Sequence, residues 1–175
     1  AHRGRGIRLA GMKQPLSGYR VIDTTAMVSG PLATMQLADQ GAEVLKIERP
    51  DVGDYTRLAS NRRNGFSASY LNNNRNKRSV ALNLKASAGR DALLRLCANA
   101  DVFVQNFRPG VAERMGIGEA DIRAVAPDIV YCSISGFGSG AGAALPGYDL
   151  IVQAMSGLMS MTGAPDGDPQ RSAVS

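Results

Sequence analysis

The sequence contains no tryptophan, one histidine and two cysteines, and the scarcity of histidine and cysteine limits the chemistry that the chain could perform. The single histidine is His2, so a histidine base or a Cys/His metal cluster in the body of the chain is excluded, and no bound metal is expected. Cys97 and Cys132 lie in apolar stretches, which favours two buried free thiols over a disulfide. No apolar run approaches the roughly 18 residues of a membrane-spanning helix, so no membrane partner is expected.

The net charge of +5 at pH 7 would suit a nucleic-acid ligand, but its distribution argues against one. Three of the positive charges, Arg3, Arg5 and Arg8, lie within the first eleven residues, where no acidic residue accompanies them. The rest of the chain is nearly balanced, and we expect no nucleic-acid partner. Because Met12 begins a segment typical of a natural start, residues 1–11 are interpreted as a leader or an added segment. The alternative is the remnant of a mitochondrial targeting segment.

A length of 175 residues and a hydrophobic content of 44% suit one globular domain. Strands are predicted over residues 19–23, 43–48, 79–83, 101–105 and 128–135, and helices over residues 29–39, 86–98, 109–115, 119–125 and 148–161. Ser29 is placed to cap the first helix, and the polar residues 49–76 predict a long loop with one helical turn. The alternation of strands and helices predicts an α/β fold with a doubly wound, Rossmann-like parallel sheet.

In a sheet of this kind, ligands bind at the carboxyl ends of the strands, near the point where the strand order reverses. That rule selects residues 27–30, Arg49, residues 106–108 and the glycine-rich loop 136–147. Two of these segments lead into helix starts, whose free N–H groups favour anions. Basic residues recur near the same strand ends: Arg49, Lys77, Arg78, Lys85, Arg108 and Arg114. The sequence therefore predicts an anionic ligand.

A dinucleotide is the first anionic ligand to consider, because Glu48 ends the second predicted strand where a ribose-binding acid would lie. The turn after the first strand, residues 23–31, contains Gly30 alone, whereas the dinucleotide fingerprint needs three glycines. The glycines of residues 136–147 have the wrong spacing, and no Walker loop occurs. NAD is therefore not expected.

Five segments follow one another in the order seen in a known family. They are Pro15–Asp23, Gly41–Pro50, Asn74–Ser79, Val104–Gly110 and Pro146–Asp149. On these segments the chain resembles the CaiB/BaiF family, the class III CoA-transferases, over almost all of residues 15–171. The resemblance implies that residues 12–175 form the amino-terminal part of a CoA-binding α/β domain, with the second domain and the carboxyl-terminal part outside the chain. It also implies coenzyme A as a substrate, with no permanently bound cofactor.

The resemblance also implies a set of CoA-binding residues. They are Val28, Ser29, Arg49, Leu82, Lys85, Asn106, Phe107, Arg108 and Arg114. Val28 and Ser29 correspond to a backbone pair beside the thioester arm, and Arg49 to an arginine near the nucleotide phosphates or the adenine. Leu82 and Lys85 correspond to residues around the adenine. The matches among residues 106–114 correspond to the pyrophosphate and pantetheine side.

Tyr148 and Asp149 match residues that lie close to the reacting centre of the family, and Tyr148 separates two of its branches. The racemase branch has a histidine at this position, where it serves as one of two acid/base groups. A tyrosine, with a pKa of about 10, transfers protons poorly at neutral pH. The resemblance therefore favours the transferase branch.

Transferases of this family use an aspartate whose carboxylate attacks the acyl-CoA thioester and forms a mixed anhydride. The resemblance places that aspartate just after Ser175, so no catalytic nucleophile is expected in the chain, and the isolated chain is expected to be inactive. Asp166 and Asp168 lie in an Asp-Gly-Asp-Pro turn, whereas the family has its nucleophile at a helix start.

The resemblance thus implies a transferase that moves coenzyme A between an acyl-CoA and a carboxylic acid. An acyl-CoA racemase or isomerase of the same family is the alternative enzyme, and a non-catalytic CoA-binding fragment is the alternative of a different class. The resemblance further implies an interlocked homodimer for the full-length protein. The cytoplasm is the expected location, with the mitochondrial matrix as the alternative in a eukaryote.

Overall fold

The computed structural model describes residues 14–59 and 62–172 of the chain. Its described strands are β1 (Arg20–Asp23), β2 (Glu43–Glu48), β3 (Arg62–Arg63), β4 (Phe66–Ser67), β5 (Lys77–Ala81), β6 (Val102–Gln105) and β7 (Val130–Ser133). Five of them form one sheet in the order β5-β2-β1-β6-β7, and every neighbouring pair is parallel. The strand order reverses between β1 and β6, which is the arrangement of a doubly wound fold. The predicted fold class is confirmed.

In the described residues, at least one helix follows each strand of the five-stranded sheet before the next strand of that sheet begins. The described helices are α1 (Ser29–Asp39), α2 (Ala68–Asn74), α3 (Ser87–Cys97), α4 (Val111–Arg114), α5 (Glu119–Val125) and α6 (Asp149–Met155), with 3₁₀-helices over Tyr55–Leu58 and Leu158–Met161. The strand predicted over residues 43–48 and the helix predicted over residues 119–125 have the predicted bounds.

Helices cover both faces of the sheet because successive side chains of each strand point to opposite sides. On one face Ile22 and Phe103 are buried with Leu93 of α3 and Ile122 of α5. On the other face Val21, Val44 and Val104 pack with Ala38 of α1. Two apolar layers therefore fix the sheet between α1 on one side and α3 and α5 on the other, and the carboxyl ends of the strands are left at one edge.

The predicted long loop over residues 49–76 is wrong. This segment contains a 3₁₀-helix, the antiparallel pair β3–β4 and the helix α2. Ser67 caps α2 by accepting a hydrogen bond from the Tyr70 N–H. The residues that α2 buries are Asn73 and Asn74, so the segment lacks the apolar period by which an amphipathic helix is recognised.

Most of the other predicted strands and helices differ from the structure by one or more residues at their ends, and three differences concern the site. The strand predicted over residues 79–83 begins two residues earlier, at Lys77. Ser29 is not the cap of α1, because Val28 occupies the capping position and no side chain caps the helix. The helix predicted over residues 148–161 is divided, since Gly157 adopts a positive φ of 82° between α6 and the following 3₁₀-helix.

Two features are absent from the part of the chain that the structure describes. Among these residues no helix combines the length and the apolar character that crossing a bilayer would require. Nor do residues 14–59 and 62–172 hold three or more His, Cys, Asp or Glu side chains grouped as metal ligands. Cys97 and Cys132 are both free thiols, and burial raises the pKa of Cys97 to about 12.

Gly89 allows the first turn of α3 to lie against the segment that follows β5. A Cβ at this position would lie 2.1 Å from the carbonyl oxygen of Asn83, which is main chain and cannot rotate away. We expect Gly89→Ala to lower the free energy of unfolding by about 2 kcal/mol, measured by urea denaturation. Gly140→Ala is the matched control, because a Cβ at Gly140 would have no neighbour within 4 Å among the described residues. Equal stabilities of the two variants would contradict this account of the packing.

Candidate functional site

A groove of about 700 Å³ lies at the carboxyl ends of four strands of the sheet. Residues 24–27 follow β1, residues 47–55 end and follow β2, residues 82–85 follow β5, and residues 106–107 follow β6; all four segments contribute to its lining. The groove therefore occupies the strand-order reversal between β1 and β6, where ligands of open α/β sheets bind.

The groove brings together five of the predicted CoA-binding residues. They are Arg49, Leu82, Lys85, Asn106 and Phe107. The other four lie outside its lining, although each is adjacent in sequence to a lining residue or separated from one by a single position: Val28, Ser29, Arg108 and Arg114. The lining is mixed in character, with apolar side chains of Ile47, Leu84 and Met115 beside the charged ones.

A smaller hollow of about 350 Å³ lies at the opposite, amino-terminal edge of the sheet and contains none of the predicted residues. The charged groups there are already paired with one another. Arg20 forms an ion pair with Glu43 at 2.9 Å, and its backbone N–H donates to Asp101. The hollow is therefore a weaker candidate than the groove for binding an anion.

Asn106 joins the two loops at the strand-order reversal. Its Oδ1 accepts from the Ala26 N–H at 3.0 Å, and its Nδ2 donates to the Ala26 carbonyl at 2.8 Å. The Asn106 side chain thus satisfies both backbone groups of Ala26, which lies 80 residues away in sequence. Asn106 therefore stabilises the contact between the loops that follow β1 and β6, in addition to any contact that it makes with a ligand.

Arg49 places a positive charge at the mouth of the groove. Its guanidinium donates to Asp51 at 2.7 Å and to the Tyr55 hydroxyl at 3.0 Å, and it remains exposed to solvent. The hydrogen bond and the negative charge of Asp51 raise the pKa of Arg49 above its ordinary value. The guanidinium is therefore charged at every physiological pH and open to an anion.

Glu48 has the position of a ribose-binding acid, but its carboxylate is already occupied. It accepts two hydrogen bonds from Arg57, one each from the Tyr70 and Ser79 hydroxyls, and one from the Asp54 N–H. A carboxylate has about four lone-pair sites, and these five donors fill them. Burial raises the pKa of Glu48, but these donors outweigh it and lower that pKa to about 2. The geometry argues against ribose recognition by Glu48.

The sequence did not predict the network of buried and half-buried polar side chains that supports the groove. The Arg57 guanidinium lies 3.8 Å from the centre of the Tyr70 ring while both groups bind Glu48. Lys46 forms a buried ion pair with Asp54 at 3.0 Å. The signal in the sequence was the strand Glu43–Glu48, where the charged residues Lys46 and Glu48 lie among apolar residues that are buried.

Tyr148 and Asp149 lie at the start of α6, outside the groove lining. Tyr148 is exposed, whereas the Asp149 carboxylate accepts from Gln153 at 3.0 Å and pairs with Arg171 at 3.3 Å. The Ser172 N–H in turn donates to Gln153. The start of α6 is thus tied to the last described residues of the chain.

Comparison with known proteins identifies the family. Residues 16–175 match the family model described as CoA-transferase family III. The chain belongs to this family. It is 48% identical over 163 residues to the succinyl-CoA:glutarate CoA-transferase of Mus musculus, a match that covers 92% of this chain and 37% of that protein. It is 44% identical over 160 residues to the acetyl-CoA:oxalate CoA-transferase of Acetobacter aceti, covering 91% and 41%.

A solved structure supports the fold of this family III chain. A CaiB/BaiF family protein from Brucella suis superposes with a TM-score of 0.88 at 37% sequence identity, covering 93% of this chain and 44% of that one. The chain spans about two fifths of the length of the curated relatives that it matches.

Proposed function

We propose that this family III chain contributes the CoA-binding surface of an enzyme that transfers coenzyme A from an acyl-CoA to a carboxylic acid. The observation that carries the proposal is the groove at the strand-order reversal, which five predicted CoA-binding residues line. Its apolar side chains suit the adenine and pantetheine portions of the ligand, and Arg49 and Lys85 suit its phosphates. Residues 12–175 are accordingly proposed as part of one CoA-binding α/β domain.

The nine residues proposed to bind coenzyme A have unequal support. Arg49, Leu82, Lys85, Asn106 and Phe107 are supported by their place in the groove. For Val28 and Ser29 the support is that they directly follow the groove residue Met27 and begin α1, where backbone N–H groups are free. Arg108 and Arg114 rest on the family resemblance.

We propose a short dicarboxylate as the acid partner, because the relatives named above are described as acting with glutarate and oxalate. The nucleophile of the reaction is proposed to be an aspartate beyond Ser175. The ties from Asp149 and Gln153 to residues 171–172 support a role for α6 in holding the segment that leads there. The family resemblance supports an interlocked homodimer in the cytoplasm, or in the mitochondrial matrix of a eukaryote. Nucleic-acid and membrane partners are not proposed.

The full protein that contains this chain should convert succinyl-CoA and glutarate into glutaryl-CoA and succinate without net loss of thioester. Products can be followed by chromatography in deuterated water, which also reports exchange of the α-proton. Glutaramide, which lacks a carboxylate, should not accept coenzyme A and is the control. Rapid deuterium incorporation into a 2-methylacyl-CoA with no transfer to any acid would identify a racemase instead.

A further inference from the structure

The turn between β1 and α1 holds a strained residue beside the proposed thioester site. Met27 adopts a positive φ of 72°, a region that side chains other than glycine enter at a cost of about 1–3 kcal/mol. Met27 lines the groove, and Val28 and Ser29 follow it directly. A strained conformation persists only when surrounding contacts enforce it, and in this turn the enforcing contacts come from buried side chains.

Lys46 and Asp54 hold the turn from below. The Lys46 ammonium donates to the Thr25 carbonyl at 2.8 Å and pairs with Asp54 Oδ2 at 3.0 Å, and the two side chains are each 1% exposed. Asp54 Oδ1 accepts from the Met27 N–H at 3.3 Å. The buried ion pair therefore binds the backbone on both sides of Ala26, at the Thr25 carbonyl and at the Met27 N–H. The N–H and C=O of Ala26 itself are bound by Asn106.

Asp54 is itself fixed from the side of β2. Its backbone N–H donates to Glu48 at 2.9 Å, and its Oδ1 also accepts from the backbone N–H and hydroxyl of Thr56 at 2.9 and 2.7 Å. These contacts leave Oδ2 for the Lys46 ammonium. The pair thus connects the segment after β2, which carries Arg49, to the turn after β1.

Stability alone gives no reason for a buried ion pair here. Desolvating two charges costs several kcal/mol, and apolar side chains of similar volume are often equally stable or more so. Directional bonds to the Thr25 carbonyl and the Met27 N–H, however, are something that an apolar pair could not provide. The position of the pair at the groove, whose lining includes Asp54, is therefore better explained by the geometry that the pair imposes on the turn.

We propose that Lys46 and Asp54 are positioning residues, which hold the Met27 turn so that the backbone of Val28 and Ser29 faces the acyl-CoA thioester. This inference rests on the proposed function, since it names coenzyme A as the ligand of the turn. Lys46 does not line the groove and Asp54 does, but both act through the hydrogen bonds that they make to the backbone of residues 25–27.

The test compares two lysine variants of the full protein. Lys46→Met removes the ion pair under the turn. Lys77→Met is the matched control, because it removes an equally buried pair, with Asp23, that reaches α1 at Pro31 and Thr34. We expect both variants to melt at lower temperature. Lys46→Met alone should raise the CoA dissociation constant about tenfold by calorimetry and speed amide hydrogen exchange at Met27, whose N–H donates to Asp54, with the control staying within twofold on both measures.

A second pair of variants separates positioning from stability. Asp54→Asn preserves the size of the side chain, and combining it with Lys46→Met leaves no unpaired buried charge. We expect the double variant to recover melting temperature without recovering CoA affinity, because the bond to the Thr25 carbonyl stays absent. Recovery of both properties would overturn the positioning role, and so would a Lys46→Met variant that binds coenzyme A no worse than Lys77→Met. A wild-type protein that fails to bind coenzyme A would instead overturn the proposed function. The amide hydrogen exchange of the turn can be measured without coenzyme A, so it does not depend on that function.

Discussion

Replacement of Glu48 by glutamine is expected to lower the free energy of unfolding by about 3 kcal/mol, measured by urea denaturation at pH 7. The Glu48 side chain is 4% exposed and accepts hydrogen bonds from Arg57, Tyr70, Ser79 and the Asp54 N–H. A glutamine would direct an NH₂ group at some of these donors and would leave the Arg57 guanidinium without its counter-charge.

Glu43→Gln is the matched control for this loss. Glu43 begins the same strand and also binds two arginines, Arg20 and Arg78, but its side chain is 36% exposed. Because exposed ion pairs contribute about 0–1 kcal/mol, we expect Glu43→Gln to lower the free energy of unfolding by less than 1 kcal/mol. Equal losses from the two variants would show that burial of Glu48 is not the cause.

The same comparison has a defined pH dependence. The pKa of Glu48 is about 2 in the folded chain, compared with an ordinary value of 4.5. A group whose pKa is lowered by folding contributes stability that is fully present above its unfolded pKa and is lost as the pH falls toward the folded value. The difference between wild type and Glu48→Gln should therefore be constant above pH 4.5 and shrink progressively from there to about pH 2.

Elements with a run or stripe of apolar residues were predictable from the sequence, and the helix α2, which has none, was not. The strand Glu43–Glu48 and the helix Glu119–Val125 match their predicted bounds because local pattern and tertiary burial agree in them. The helix α2 was missed because it buries amides. Asn74 donates to the Tyr70 carbonyl within the helix and accepts from Lys77 of β5, and no apolar pattern in the sequence indicates these polar contacts.

The candidate site was predictable to the extent that it depends on the edge of the sheet. The rule that ligands lie where parallel strands end selects Arg49 and Asn106 from the sequence alone, and both line the groove. The supporting pairs could not be found in this way. Lys46 contacts Asp54 because residues 49–58 fold back toward the turn between β1 and α1. No sequence pattern indicated this course of the backbone.

Arg49→Glu is expected to weaken CoA binding by the full protein about a hundredfold. A charged hydrogen bond contributes about 1.5–3 kcal/mol, and about 2.7 kcal/mol corresponds to a hundredfold change in the dissociation constant. Arg49 is exposed at the mouth of the groove, so the substitution should leave the fold intact. The introduced carboxylate would also stand beside Asp51 and repel the phosphates of coenzyme A.

Arg78→Glu is the control for net charge in this experiment. Arg78 is also exposed and forms an ion pair with a carboxylate, that of Glu43. It lies within β5, opposite Leu45 of β2, and does not line the groove. Both variants change the net charge of the protein by the same amount, so a general field effect would weaken binding equally, whereas a local contact would affect Arg49→Glu alone.

Calorimetry at two ionic strengths should show a weaker salt dependence for Arg49→Glu than for wild type, because one attraction to a phosphate has been removed. Dephospho-CoA, which lacks the 3′-phosphate, locates the contact: if Arg49 binds that phosphate, wild type and Arg49→Glu should bind dephospho-CoA with similar affinity. An unchanged dissociation constant for coenzyme A itself in Arg49→Glu would remove this arginine from the site.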